Sequence, residues 1–328
     1  GGGLQDVCKI DITEVEGFDN LHEANGVLRE AQLRANALFG NAGSETFFLV
    51  NGSSSGNLAA ICATLYEEEE ILIARNAHKS VYHAVALHRL FPRYFLPKEA
   101  GVQQARPEEN PIDSRDEAPV PEWRSGFWGA ETAREIEKQI TARTKAVLIT
   151  SPTYEGMVSD VEEIAAFLHQ KKIPLIVDEA HGSHFGLYPG FPKSALHCGA
   201  DLVIHSLHKT LPSLTQTALL HVQGERIDRV RLRRYLRTFQ STSPSYPLMA
   251  SLDSCVSEVR RTGSSRFLHL EKLRNLLEER TKGTTTVWVL PKEMIADPCK
   301  VVLFSPEKTG RWIASLLRDR YRLEPEME

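Results

Sequence analysis

The sequence predicts an α/β protein in which a mainly parallel β-sheet is covered by helices on both faces. Short apolar runs without polar alternation recur through the centre of the chain, as in strands that are buried on both sides. Helical patterns separate these runs, which is typical of parallel strands joined by crossover helices. Because ligand sites in such sheets lie beyond the carboxyl ends of the strands, the polar clusters that follow the runs are the predicted functional site.

Five buried strands are predicted from these runs. They cover residues 47–50, 71–73, 146–150, 175–177 and 202–204. A helix is predicted to begin at Ser159 or Asp160, because each is followed three residues later by a glutamate, as in a capping box. One face of that helix is apolar and carries Val161, Ile164, Ala165 and Leu168.

The composition is that of an ordinary globular protein. Charged residues make up 25% and hydrophobic residues 41% of the 328 residues, and the formal net charge of −4 gives no general attraction to nucleic acid. The five arginines of residues 229–237 have helical spacing, which favours a solvated face with its own counter-charges. No apolar run approaches the roughly 18 to 20 residues that cross a bilayer. Five scattered cysteines without a C-x-x-C pair disfavour a disulfide framework, and no metal is expected.

The pattern divides the chain into a major domain, residues 1–275, and a partial C-terminal domain, residues 276–328. In the C-terminal part a new alternation begins near Lys282, with strands predicted in residues 285–290 and 301–304 and a helix near residues 311–318. Residues 99–128 contain four prolines and many charges, and they predict a long surface insertion in the major domain.

Residues 174–182, PLIVDEAHG, end a predicted strand in two acids and a histidine. The letters DEAH occur in nucleic-acid helicases, where the acids hold Mg²⁺ beside a nucleotide, but such enzymes need a phosphate loop of the form G-x-x-x-x-G-K-[ST]. The nearest candidate, residues 51–57, has a different glycine spacing and no lysine. In a second interpretation, an acid at the end of a buried strand pairs with the ring nitrogen of pyridoxal phosphate. The absence of the loop favours this second interpretation.

Pyridoxal phosphate makes several demands that the sequence meets. The cofactor needs a lysine for covalent attachment and a carboxylate that keeps its ring nitrogen protonated. Lys209 follows the strand that comes next after Asp178, so both groups reach the same sheet edge. Ser53 and Ser54 begin a helix and offer hydroxyls and amides to a phosphate, and His78 follows another strand and can stack on the ring. Each residue alone has an ordinary structural interpretation, and the prediction rests on their common position at strand ends.

Several segments are similar to the ornithine/lysine/arginine decarboxylases of the aspartate-aminotransferase fold (fold type I), in the shorter form without an N-terminal wing domain. They are FFLVNGSSSGNLAAICATL, RNAHKSVYHAVAL, the block from SPTYEGMVSD through VDEAHGSHFG and HSLHKT to LLHVQG, STSPSYPLMASLD and, upstream, DITEVEGFDNLHEANGVLREAQ. The resemblance covers roughly residues 10–260. It implies a seven-stranded sheet. The early P-G-H-K segment of the family is not present, and the C-terminal region is short.

The resemblance implies a role for each site residue. Lys209 would carry the cofactor, Asp178 would pair with the pyridine nitrogen, and His78 would stack on the ring. The phosphate would be held by Ser53, Ser54 and Ser206. His181 and His208 would lie next to the reacting centre, and together with Lys209, Asp178 and His78 they form the predicted catalytic set.

The implied activity is the decarboxylation of arginine, lysine or ornithine to the amine and CO₂, a step of polyamine synthesis. The sequence leaves open which of the three is used. A homodimer or higher homo-oligomer is expected, in which part of each site, including acids for the distal cation, comes from the second subunit. The acidic segment of residues 14–19 is a candidate for this boundary. The expected compartment is the cytoplasm, with an organelle left open because the chain begins Gly-Gly-Gly rather than with Met.

Two alternatives to this function remain at the level of sequence. One is another enzyme of the same fold, such as an oxoamine synthase or an aminotransferase, although the H-K-S after Ala77 and the S-L-H-K that ends at Lys209 favour the decarboxylases over the oxoamine synthases. The other is a catalytically inactive relative that acts as a regulatory subunit.

Overall fold

The structure is a computed structural model that describes residues 9–15, 17–97, 129–282, 284, 286–291, 295–305 and 307–326. The insertion predicted at residues 99–128 lies outside the described residues. The described residues form one seven-stranded sheet with flanking helices, and a two-stranded sheet near the C-terminus.

The large sheet is mainly parallel, as predicted. Its strands are Glu45–Leu49 (β1), Glu70–Ala74 (β2), Phe91–Phe95 (β3), Thr144–Thr150 (β4), Leu175–Asp178 (β5), Leu202–His205 (β6) and Ala218–Val222 (β7). Their order across the sheet is β1-β7-β6-β5-β4-β2-β3. The strand β7 is antiparallel to both of its neighbours, whereas the other pairs are parallel. The carboxyl ends of β2, β4, β5 and β6 therefore lie along one edge of the sheet.

All five predicted strands are present within two residues of their predicted bounds, and two further strands, β3 and β7, were not predicted. β3 is an edge strand that contains Pro92 and exposes Phe91, so it lacks the continuous apolar run of a central strand. β7 is buried along its whole length, but His221 interrupts its apolar pattern. In a sequence, a histidine is normally interpreted as a surface residue, and for this reason β7 was not predicted.

Helices cover both faces of the sheet. Their bounds are Val27–Phe39 (α1), Gly52–Thr64 (α2), Lys79–Leu87 (α3), Ala133–Glu137 (α4), Val161–Gln170 (α5), Leu207–Thr210 (α6), Arg229–Phe239 (α7), Tyr246–Thr281 (α8) and Gly310–Tyr321 (α9). One apolar core joins α2, α3 and α7 to the sheet through residues such as Ile61, Val81 and Leu232. A second core joins α4 and α5 to the other face through Ile136 and Ile164. Burial on both faces explains why the central strands lack polar alternation.

The helix α5 begins after Asp160, one of its two predicted starts. The Asp160 side chain accepts a hydrogen bond from the Glu163 amide at 2.9 Å, which satisfies one of the free amides of the first turn. The other candidate, Ser159, instead donates its hydroxyl to the buried carboxylate of Glu131. The helix buries the predicted apolar face.

The C-terminal part contains the predicted strands and helix in shortened or lengthened form. Two short strands, Trp288–Val289 (β8) and Leu303–Phe304 (β9), pair in antiparallel fashion and precede α9. The long helix α8 runs through position 275, at which the predicted domain boundary lies, so the division into residues 1–275 and 276–328 stays a prediction. In the part of the chain that the structure describes, no helix combines the length and the apolarity that crossing a bilayer requires.

The arginine-rich helix α7 has counter-charges from other elements. Arg233 and Arg229 lie 2.8 Å and 3.5 Å from the carboxylate of Glu45, and Arg237 lies 3.0 Å from that of Glu23. These ion pairs agree with the interpretation of residues 229–237 as a charged face that is neutralised within the chain.

Candidate active site

Three of the predicted site residues lie at the carboxyl edge of the sheet. Asp178 is the last residue of β5, Lys209 lies in the short helix α6 that follows β6, and His78 is the N-cap of α3 after β2. These strands are parallel members of one sheet, so their ends converge there. The topology therefore places Asp178, Lys209 and His78 along one edge of the sheet.

Asp178 is buried and held by two hydrogen bonds. Asn57, on α2, donates through Nδ2 to Asp178 Oδ2 at 2.8 Å, and the Ala180 amide donates to Oδ1 at 3.2 Å. The same Asn57 nitrogen lies 3.0 Å from Ser80 Oγ. A buried carboxylate with fixed donors keeps one orientation, so Asp178 presents its charge to the cleft in a defined direction.

His78 has one ring nitrogen engaged by its own helix. Its Nδ1 accepts a hydrogen bond from the Ser80 amide at 3.2 Å and lies 2.8 Å from Ser80 Oγ. Because Nδ1 acts as an acceptor, the ring proton of neutral His78 belongs on Nε2. Burial lowers the pKa of His78, although the negative charge of Asp178 opposes this effect. The ring is therefore held neutral at physiological pH.

His181 lies between two lysines. Its Nε2 is 2.9 Å from Lys209 Nζ, and its Nδ1 is 3.2 Å from Lys300 Nζ. The ring of Tyr154 packs edge-on against His181 with 5.0 Å between the centroids. Burial, together with the positive charges of Lys209 and Lys300, lowers the pKa of His181 to about 3. His181 is therefore neutral and carries one N–H and one lone pair.

Lys209 is more acidic than an ordinary lysine. The Lys209 side chain is partly exposed, but burial of its amine lowers its pKa. The positive charge of Lys300 lowers that pKa further. The carboxylate of Asp178 acts in the opposite direction. The fraction of neutral amine, the form that reacts with an aldehyde, is thereby increased. The adjacent His208 donates from Nδ1 to the Thr217 carbonyl at 2.9 Å, which orients its ring.

The three predicted phosphate-binding serines lie on α2 and at the end of β6. Ser53 and Ser54 are in the first turn of α2, where backbone amides are free to bind an anion. Gly56 brings this helix close to the sheet, since a Cβ there would lie 3.0 Å from Ile204. Ser206 lies two residues after Ile204, just beyond the end of β6. Its hydroxyl is buried and has no hydrogen-bond partner among the described residues. A buried hydroxyl without a partner is uncommon and is expected to meet a ligand.

Glu179, the second acid of DEAH, belongs to a buried hydrogen-bond network. Its Oε1 accepts the Ala195 amide at 2.8 Å, and its Oε2 accepts the Ser194 hydroxyl at 2.7 Å and His205 Nε2 at 2.6 Å. All four residues are buried. With both oxygens engaged, Glu179 has no site for Mg²⁺, which disfavours the helicase interpretation.

The network continues through a second buried histidine. His205 Nδ1 lies 3.1 Å from His221 Nε2, and His221 Nδ1 lies 2.8 Å from the Thr46 hydroxyl. Thr46 donates its proton to Asn36 Oδ1, so His221 must donate to Thr46 and accept from His205. Burial lowers the pKa of His221 well below its ordinary value, in agreement with a neutral ring. His205 then donates from Nδ1 to His221, and its Nε2 contacts the Glu179 carboxylate.

Sequence reasoning missed three polar residues of the site. Asn57 lies in the middle of an apolar helix, a position that already indicates a buried hydrogen bond. Ser80 is the last residue of the H-K-S segment, of which only His78 was predicted to belong to the site. Lys300 comes from the C-terminal part, and its sequence position gives no sign that it reaches His181.

The seven-stranded sheet with helices on both faces has the fold of the pyridoxal-phosphate-dependent enzymes of the aspartate-aminotransferase class, fold type I. The lysine decarboxylase LdcF of Francisella novicida superposes with a TM-score of 0.73 at 18% identity, over 94% of this chain and 47% of that one, which shows the fold. The chain belongs to the family "Orn/Lys/Arg decarboxylase, major domain", whose model matches residues 4–312. That family depends on pyridoxal phosphate.

Two relatives illustrate the family resemblance. The uncharacterised protein YaaO of Bacillus subtilis is 39% identical over 314 residues, which are 94% of this chain and 61% of that protein. An arginine decarboxylase of Halalkalibacterium halodurans is 28% identical over 329 residues, which are 97% of this chain and 62% of the relative. The chain thus spans about three fifths of the length of these relatives.

Proposed function

We propose that this chain is the cofactor-binding part of a pyridoxal-phosphate-dependent decarboxylase that converts a basic amino acid, arginine, lysine or ornithine, to its amine and CO₂. The observation that carries the proposal is the placement of a Lys209 amine with a lowered pKa at the sheet edge that also holds the Asp178 carboxylate. The names of relatives, arginine decarboxylase and lysine decarboxylase, support the substrate class.

The residues fit the cofactor. Lys209 is the attachment residue, and Asp178 is the partner of the ring nitrogen. The unpartnered hydroxyl of Ser206 and the first turn of α2, with Ser53 and Ser54, suit the phosphate. His78, neutral and pinned through Nδ1, is the ring that would lie against the cofactor.

The chemistry divides among these groups. When bound, pyridoxal phosphate supplies an electron sink for the pair that departing CO₂ leaves on Cα. Asp178 keeps the ring nitrogen protonated, and Asn57 fixes the carboxylate for that purpose. Lys209 would hold the cofactor, and its amine, once free, would return a proton to Cα. His181, within hydrogen-bond distance of Lys209, would orient the Lys209 amine for that transfer.

The experiment is purification with pyridoxal phosphate, followed by incubation with arginine, lysine and ornithine in separate reactions and by chromatographic detection of the amine. Borohydride treatment followed by peptide mapping reports which lysine holds the cofactor. Lys209→Ala should lose both readouts. Asp178→Asn should retain cofactor while turnover falls by orders of magnitude, because a neutral amide does not hold the ring proton. The matched control is Lys193→Met, because Lys193 is an exposed lysine that forms an ion pair with Glu162.

Several outcomes would count against the proposal. A labelled peptide other than that of Lys209 removes the attachment assignment. Transfer of the amino group to a keto acid, without release of CO₂, indicates the aminotransferase alternative. A protein that holds the cofactor on Lys209 and turns over none of the three amino acids is the inactive relative.

We further propose that the active form is a homodimer. Ile10, Phe18 and Val27 are 63%, 52% and 65% exposed, and they offer an apolar surface that a second copy would cover. Asp19, at the end of the acidic segment of residues 14–19, does not serve as the substrate-reading acid of the shared site. Its carboxylate accepts the amides of the first turn of α1, with the Leu28 amide at 2.8 Å.

Val27→Glu tests the dimer. An acid in the first turn of a helix is compatible with folding, so the variant charges the apolar surface without disrupting α1. Sedimentation at the assay concentration should show a monomer, with a higher KM for the basic substrate and a lower kcat. A fully active monomer would exclude a site shared between subunits.

A further inference from the structure

Lys300 lies in the C-terminal segment of residues 295–300. It contacts the site although it does not belong to the predicted catalytic set. Its Nζ lies 3.2 Å from His181 Nδ1, on the side of the ring opposite Lys209. The same nitrogen lies 3.7 Å from the Glu326 carboxylate and 5.2 Å from the centre of the Tyr154 ring. Its side chain is only 14% exposed. These surroundings, a carboxylate and an aromatic face, suit an ammonium ion.

The position of Lys300 is fixed by the main sheet and its loops. The Asp297 amide donates to the Gly156 carbonyl at 3.1 Å, and a Cβ at Gly156 would lie 2.9 Å from Lys300 Cγ. Asp297 also accepts from His184 Nε2 at 2.8 Å, and both side chains are fully buried. The Lys300 carbonyl accepts a hydrogen bond from the buried Arg274 guanidinium. Lys300 is therefore held in the site by contacts on both sides of its backbone.

The hydrogen-bond capacities of the three groups restrict their protonation. A neutral imidazole has one N–H and one lone pair, whereas an ammonium ion only donates. Two ammonium ions would require two lone pairs on His181, so one lysine must accept the ring N–H as a neutral amine. Lys300 has the Glu326 carboxylate at 3.7 Å and the face of Tyr154, whereas burial lowers the pKa of Lys209 although the charges of Asp178 and Glu326 oppose this effect. The neutral amine is therefore Lys209, which accepts from Nε2–H, while Lys300 donates to Nδ1.

We propose that Lys300 is a positioning residue: by donating to Nδ1 it fixes the His181 proton on Nε2, and the N–H so placed holds Lys209 as a free amine directed for cofactor attachment. The inference rests on the proposed function and adds a residue to it. In attachment, the Lys209 nitrogen forms a bond to the aldehyde carbon, and its two protons leave with the aldehyde oxygen as water. An ammonium ion has no lone pair with which to begin this step.

Without the hydrogen bond from Lys300, His181 is no longer restricted to the tautomer that carries its proton on Nε2. In Lys300→Met, His181 can place its proton on Nδ1 and accept from Lys209 through Nε2, which stabilises the ammonium form of Lys209. The other charged and titratable groups that face this pair, Asp178, Glu326, His78 and His208, are unchanged. The free-amine reactivity of Lys209 at pH 7 is expected to fall roughly tenfold, which is what the loss of one hydrogen bond of ordinary strength gives. The pH profile of that reactivity should move to higher pH.

The test measures the Lys209 amine without relying on turnover. Apoprotein is trace-labelled with acetic anhydride between pH 6 and 10, and the labelled fraction of the Lys209 peptide is followed by mass spectrometry. The variants are Lys300→Met, Lys300→Arg, His181→Phe and the double variant Lys300→Met/His181→Phe, with Lys193→Met as the surface control. Lys300→Arg keeps the stem, the charge and a donor, and it should retain the wild-type profile. Thermal unfolding of each variant verifies that the segment of residues 295–300 remains docked.

The double variant separates the tautomer effect from a direct effect of charge. The positive charge of Lys300 lowers the pKa of Lys209 in both backgrounds, so an action through His181 is expected as a larger shift of the profile in the wild-type background than when His181 is phenylalanine. An equal shift in both backgrounds means that Lys300 acts on Lys209 through its charge alone, and this result overturns the proposal. An unshifted Lys300→Met profile, or a shifted Lys300→Arg profile, also overturns it.

A parallel borohydride experiment with pyridoxal phosphate keeps the two proposals distinct. Slower capture by Lys300→Met than by the wild type, at the pH where the labelling profiles diverge, supports the inference. If the wild type captures no cofactor on Lys209 while the labelling profile still shifts, the proposed function fails and the positioning of Lys209 stands.

Discussion

Replacement of Glu131 by glutamine is expected to stabilise the protein above pH 7 and to change it little at pH 5. Glu131 is fully buried. Its oxygens accept the Ser159 hydroxyl and, at 3.1 Å, Asn76 Nδ2, and neither partner carries a charge. Burial raises the pKa of Glu131 from 4.5 to about 7, and the hydrogen bonds from Ser159 and Asn76 offset only part of that effect. The ionised carboxylate is therefore a cost to the folded state.

The sign and size of the effect follow from proton linkage. The folded state binds this proton more tightly than the unfolded chain, so the unfolding free energy falls as pH rises from 4.5 through 7. One pH unit corresponds to about 1.4 kcal/mol. Ionisation of Glu131 therefore lowers the unfolding free energy by less than about 1 kcal/mol at pH 5 and by about 3 kcal/mol at pH 8. Glutamine has nearly the same shape, carries no charge, and can accept from Asn76 and donate to Ser159.

Urea unfolding followed by circular dichroism at pH 5, 6, 7 and 8 measures the difference between Glu131→Gln and the wild type. The titrations of His181 and His221 are common to both proteins and cancel in that difference. Glu162→Gln, at an exposed position, is the matched control and should change the unfolding free energy by less than about 1 kcal/mol. A Glu131→Gln difference that is independent of pH, or a variant that is less stable than the wild type at pH 8, would refute the reasoning.

Three further predictions follow from individual contacts. Glu179→Ala should lower the unfolding free energy by about 3 to 5 kcal/mol in chemical denaturation, because it leaves the buried Ser194, Ala195 and His205 groups without their acceptor. A loss below about 1 kcal/mol would contradict this. Asn57→Ala should weaken pyridoxal phosphate binding roughly 10-fold or more in an absorbance titration, because Asp178 loses its donor. Unchanged affinity would show that the Ala180 amide suffices. Gly156→Ala, at a φ of +102°, should increase hydrogen exchange in residues 295–305, and unchanged exchange would contradict its close contact with that segment.

The central sheet could be predicted from sequence because its strands are short apolar runs buried on both faces. The same argument failed for β3 and β7, where an edge position and a buried histidine alter the pattern. Asp178 and Lys209 could be placed together because parallel topology brings successive strand ends to one edge. Lys300 could not, because its contact with His181 crosses 119 positions of sequence and depends on how the C-terminal segment packs.

Asn57 and Glu131 show a second limit of sequence reasoning. Both are polar residues whose burial is decided by the tertiary fold. Asn57 supports a residue that the sequence identified, and Glu131 supports a near neighbour of one. Asn57 holds Asp178, and Glu131 holds Asn76, which precedes His78 by two residues. A sequence identifies groups that react by their chemistry, whereas the groups that orient them are ordinary asparagines, serines and acids whose role appears only when their partners are in place.

The DEAH letters illustrate how one short motif serves several purposes at a strand end. Asp178 completes β5 and points its carboxylate to Asn57 on α2, whereas Glu179 contacts the residues 194–195 and His205. The first acid is available to a cofactor, and the second ties β5 to β6 beneath the site. Their neighbour His181 lies between two lysines, where a neutral ring is favoured. Since a helicase would need both acids beside a metal, the separation of Asp178 from Glu179 by their hydrogen-bond partners distinguishes the two uses of the motif.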